Sequence, residues 1–76
     1  MSDQTTKAGY QQSETLYEQV LDIEPNDVLA LNNLAWLYLE EGDKRAVLAA
    51  RKALAAAPDN ADVMDTAGWI LFRSGD

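Results

Sequence analysis

The chain has no cysteine and no histidine among its 76 residues. The first absence excludes disulfides and thiolate chemistry, and it leaves the redox compartment without a signal. The second removes the commonest general base and the commonest metal ligand. Cations are scarce as well: 6 Lys and Arg face 13 Asp and Glu, a net charge of −7. Binding to nucleic acid or to an anionic membrane surface needs clustered cations, so neither is expected as a partner. No apolar run approaches the roughly 20 residues of a spanning helix, so direct membrane insertion is not expected. The opening Met1-Ser-Asp-Gln-Thr-Thr-Lys7 is polar and holds no signal-peptide core. The sequence leaves the compartment unknown: cytoplasmic, or periplasmic if a longer parent supplies a signal upstream.

What is present favours helix. Ala and Leu dominate, β-branched residues are few, and there are only two prolines. Sliding the chain against itself by 33 residues sets Pro25 over Pro58, Trp36 over Trp69, Gly42 over Gly75 and Asp43 over Asp76. Gly9 falls under Gly42 and Leu21 under Leu54 in the same register. Between these points the classes agree: Leu31 with Met64, Leu34 with Ala67, Ala35 with Gly68, Tyr38 with Leu71. Self-similarity at such a period is the mark of a stacked repeat.

The punctuation inside one period is that of two helices. Each proline closes a helix, and Asn26-Asp27 or Asp59-Asn60 then offers an oxygen to the next helix's free N–H groups. Gly42 and Gly75 stand where a helix turns through a left-handed residue. The spacing predicts helices near 10–24, 27–41, 44–57 and 60–73, joined by loops short enough to force antiparallel neighbours. Helix 27–41 is apolar on nearly every side, which calls for burial among several helices. The expected units are 1–9, the tail of a preceding helix or a disordered N-terminus; 10–26, the second helix of a first repeat; 27–59, one complete repeat; and 60–76, the first helix of a third, with both ends cut in mid-repeat.

This pattern resembles the tetratricopeptide repeat. Leu31, Leu34-Ala35, Tyr38, Gly42, Ala46, Ala50, Ala53 and Pro58 fill that family's places in order, and Tyr17, Val20, Leu21 and Pro25 fit the second helix of the preceding unit. Met64, Ala67-Gly68, Leu71 and Gly75 fit the first helix of the following one. The match departs at a turn one residue short, and at Ala50, which replaces an aromatic and leaves room that Trp69 is expected to fill. Asn32-Asn33-Leu-Ala-Trp36 and Asp65-Thr-Ala-Gly-Trp69 look like a bacterial subgroup of these repeats. The resemblance implies an all-α fold of antiparallel helix-turn-helix repeats, a right-handed α-solenoid fragment of about two repeats. It implies a protein-interaction scaffold, not an enzyme, with no cofactor.

In such an array the first helices of successive units line a concave groove. Here they offer Leu29, Asn32, Asn33, Trp36 and Glu40, then Asp62, Asp65, Thr66, Trp69 and Arg73. Asn can hold an extended peptide by its backbone amides, and Trp supplies amphipathic contact area. The plainer alternative has the tryptophans packing between helices and the asparagines bonding nearby backbone. A clamp for a C-terminal carboxylate would need several cations, and only Arg73 is offered, so a basic or neutral peptide or protein is expected. Asp59, Asp62 and Asp65 recur at i, i+3, i+6, which suits the start of a helix dipole better than a metal site. Lys44-Arg45 and Arg51-Lys52 read as solvated outer-face contacts. The apolar stripe of the last helix is expected to make the chain self-associate, and a structural self-assembly element is the alternative to a peptide-binding scaffold.

Overall fold

The computed structural model describes residues 3–75, with side chains from residue 9 onward. Four helices follow in order: α1 (Asp3–Ile23), α2 (Val28–Glu40), α3 (Arg45–Ala56) and α4 (Ala61–Ser74). Three of them start and stop within a residue or so of the sequence expectation. α1 starts well before residue 10 and runs straight through Gly9. A glycine inside a helix costs only about 1 kcal/mol relative to alanine, too little to break a long one. Met1, Ser2 and Asp76 lie outside the described residues.

The second member of each Asn/Asp pair makes the cap. Asp27, held extended, accepts a hydrogen bond from the Ala30 N–H at 3.0 Å, and Asn60 accepts one from Val63 at 3.1 Å. The turns before them are also copies: the Asp27 N–H donates to the Glu24 carbonyl and the Asn60 N–H to the Ala57 carbonyl. The repeat in sequence is thus a repeat in backbone hydrogen bonding. Gly42 and Gly75 are the positive-φ residues among those described, at 71° and 82°. At the first, the Asp43 N–H reaches back to the Tyr38 carbonyl at 2.8 Å, so α2 reverses into α3 through a left-handed residue that glycine adopts with little strain.

α2 lies at the centre, packed by α1, α3 and α4, which explains why it is apolar nearly all round. Leu34, Ala35 and Tyr38 meet Ala46, Ala49 and Ala50 of α3 and Ala67 and Ile70 of α4 in the main cluster. Leu31, Ala53 and Val63 form a second cluster beside it. The alanines of α3 let its backbone come close to α2, while Leu34, Val63 and Ile70 supply the largest fully buried side chains. Burying one such side chain contributes about 1.5–3 kcal/mol. The space beside Ala50 is taken by Ile70, not Trp69. One residue along α4 is a rotation of about 100°, and it carries Trp69 out to 44 % exposure. Gly68 has open space around it: a Cβ there would meet nothing within 4 Å.

Candidate functional site

Successive first helices, α2 and α4, carry the ten residues singled out by sequence. Leu29, Trp36 and Glu40 on α2 and Asp62, Asp65, Trp69 and Arg73 on α4 are exposed, and Asn32 and Asn33 are half-buried. Thr66 is buried and ties the two helices together. Its Oγ1 accepts a 2.8 Å hydrogen bond from the Trp36 Nε1–H. The Trp36 donor is therefore committed inside the fold, which is the plainer reading of that residue, while its ring still shows an edge to solvent. Trp69 belongs to an aromatic-cationic surface group. Its ring stacks with Phe72 at 6.1 Å between centroids, and the Arg73 guanidinium lies 5.6 Å from its centre. Phe72 was missed as a member of this group. Its place beside Trp69 becomes visible only once α4 is folded.

Asn32 supplies the electrostatic feature of this side. Its Oδ1 is shut away from solvent and accepts no hydrogen bond. An enclosed amide oxygen without a donor is destabilised by roughly 1–3 kcal/mol. Asp59, Asp62 and Asp65 are all exposed, and no three acidic groups among the described residues are placed to hold a metal ion.

A second polar group lies where sequence reasoning offered no site. Tyr38 donates from its hydroxyl to Glu18 Oε2 at 2.7 Å, bridging α2 to α1. Arg45 lies over the Tyr38 ring at 4.3 Å and pairs with Asp43 at 2.8 Å and with Glu18 at 3.7 Å. Burial and the bond to Glu18 push the Tyr38 hydroxyl up, and the Arg45 contacts hold the Asp43 carboxyl down. Glu14, buried at 7 % exposure, completes the group. Its pKa is pushed up to about 7, first by burial and then by the hydrogen bond and the charge of Glu41. One signal pointed here: the repeat register sets Glu14 under Val47, a carboxylate where the copy has an apolar side chain.

A hollow also lies away from the ten residues. A groove of about 260 Å³ opens between α1 and α3, floored by Leu21, Leu31, Leu34 and Tyr38 and edged by Glu18 and Lys52. It faces the side of α2 opposite to Leu29 and Trp36, as helical spacing requires.

The comparisons decide what kind of repeat this is. Residues 16–47 match the family model described as tetratricopeptide repeat, from the second half of α1 through α2 into the first turn of α3. The chain carries a tetratricopeptide repeat. Comparison with curated proteins and with solved structures gave no match. Tetratricopeptide repeats are non-enzymatic units that generally mediate protein–protein interaction, and proteins are the class of partner they imply. No helix among the described residues is long and apolar enough to cross a membrane.

Proposed function

We propose that this tetratricopeptide-repeat chain holds an extended protein segment against the side of α2 and α4 that carries Asn32, Asn33, Trp36 and Trp69. The observation that supports it best is the pair of exposed tryptophans, Trp36 and Trp69, on successive first helices beside the half-buried Asn32 and Asn33. The asparagine amides would bond the backbone of a bound strand, and the indole rings would cover its side chains. Glu40, Asp62 and Asp65 outweigh Arg73 there, so the segment bound is basic or neutral. Trp36 contributes its ring only, because Thr66 already takes its N–H.

The test is tryptophan fluorescence titrated with two peptides of equal length, one lysine-rich and one glutamate-rich. The lysine-rich peptide is expected to bind more tightly, with the preference shrinking in salt. Asn32→Ala, Asn33→Ala and Trp69→Ala each weaken binding about tenfold, the scale of one good contact. Equal affinity of all three variants and the parent would move the binding surface elsewhere, the α1–α3 groove being the next to examine.

A further inference from the structure

The groove between α1 and α3 has an apolar floor and walls of opposite charge. Floor and walls all come from residues 18–52, inside the chain. α1 and α3 do not pack on one another, and α2 runs beneath the gap between them. Glu18 and Asp22 stand on the α1 wall, and Arg45, Leu48 and Lys52 on the α3 wall, at the three- or four-residue steps of one helix face. Arg45 is already engaged: it pairs with Asp43 and reaches across to Glu18 at the Tyr38 end of the groove. At the other end Asp22 and Lys52 are exposed, and neither belongs to an ion pair among the described residues.

The packing of the repeat does not call for these residues. In the 33-residue register Leu48 falls on Thr15, which is polar, exposed and bonded to the Gln11 carbonyl of its own helix at 3.0 Å. Lys52 falls on Gln19, and Asp22 on Ala55. Yet Leu48 is apolar and 55 % exposed at the lip of an apolar trough. A cavity of roughly 150 Å³ takes one benzene ring, so about 260 Å³ is room for two apolar side chains. The α3 wall, from Arg45 to Lys52, is about 10 Å long, or two helical turns. Both walls spend their backbone groups inside their own helices. An extended strand laid there would set its N–H and C=O groups against apolar side chains, and each one left unpaired costs free energy. A helix satisfies its own backbone and offers side chains at i and i+4 to the floor.

We infer that the α1–α3 groove docks a helix of a protein partner that sets two apolar side chains on the floor, a cation beside Asp22 and a carboxylate beside Lys52. Charge complementarity selects this occupant. An acyl chain would fill the trough and answer neither wall. The groove lies on the opposite side of α2 from Trp36, so this docking stands independently of the extended segment proposed above.

Fluorescence anisotropy in about 0.15 M salt tests this, with labelled helical peptides of about 20 residues that carry Leu at i and i+4. One has Lys on one flank of the leucine pair and Glu on the other, a second has Lys on both flanks, and a third has Glu on both. The mixed peptide is expected to bind the parent chain most tightly. Leu48→Thr, which writes in the residue of the preceding unit, should weaken it about tenfold. Asp22→Lys makes both walls basic and should shift the preference to the Glu-flanked peptide, whereas Lys52→Glu should shift it to the Lys-flanked one. All three positions are exposed, and unchanged circular dichroism verifies that the fold is kept. Asn33→Ala and Trp69→Ala are expected to leave the mixed peptide's affinity unchanged, which separates this surface from the one on α2 and α4. A parent chain that ranks the peptides otherwise, charge variants that keep the parent's ranking, or a loss caused by Trp69→Ala and not by Leu48→Thr would each overturn the inference. So would binding of laurate alone, or a dimer of the parent that Leu48→Thr abolishes, because an acyl chain or a second copy would then be the occupant.

Discussion

Replacing Glu14 by Gln is expected to stabilise the protein at neutral pH. The Glu14 carboxyl is raised from its ordinary 4.5 to about 7, mainly by burial, with Glu41 adding to it. A group raised in the folded state keeps its proton there after the unfolded chain has lost it. Stability therefore falls as pH rises from about 4.5 to about 7, and the full penalty is present above that. At about 1.4 kcal/mol per pH unit the ceiling is near 3.5 kcal/mol. Glu41 is exposed, so solvent screens its share of this, and about 1–2 kcal/mol is left. Gln keeps the shape, has no charge to desolvate and can donate to the Glu41 carboxylate. Urea titrations followed by circular dichroism near pH 5 and pH 7.5 are the assay. The parent chain should lose stability between the two, and Glu14→Gln should not. With a slope of about 1 kcal/mol per molar urea, the midpoints at pH 7.5 should differ by about 1–2 M. Asp43, whose carboxyl is held low by Arg45, acts in the opposite sense and only in more acid solution, because its support is lost as pH falls through its lowered pKa. A parent chain equally stable at both pH values, or a Gln variant less stable at pH 7.5, would refute the reasoning.

Three further outcomes follow from the fold. Asp27→Ala and Asn60→Ala each remove a helix cap and should cost about 1 kcal/mol in urea unfolding, with Asn→Asp at position 60 restoring most of it. Gly42→Ala should cost about 1–2 kcal/mol although nothing lies within 4 Å of its Cβ, because the strain is in the φ of 71° and not in packing. Ile70→Ala opens a cavity under fully buried side chains and should cost about 2–5 kcal/mol; a loss no larger than that of exposed Phe72→Ala would contradict the core described here.

Most of the architecture could be read from residues because the signals are local. A proline, an Asn/Asp pair and a glycine act within a few residues of themselves, and the internal copy let each check the other. α1 escaped that logic at its start, since a helix needs no special residue to continue and a single Gly9 does not end one. The candidate site was less legible. The period put Trp36, Thr66 and Trp69 on adjacent helices, but whether an indole faces a hydroxyl or solvent depends on rotation and side-chain rotamer. Hence Thr66 turned out to bond Trp36, while Trp69 lay outside against Phe72 and Arg73. The group around Glu14 and Tyr38 depends on how α1 meets α2, which no local signal in either helix specifies.

The hydrogen bond from Trp36 to Thr66 spans two successive first helices, so it acts as a gauge of the rise from one repeat to the next. A ligand that takes the Trp36 N–H has to displace the Thr66 hydroxyl first, so its binding gives up the side-chain bond that ties α2 to α4.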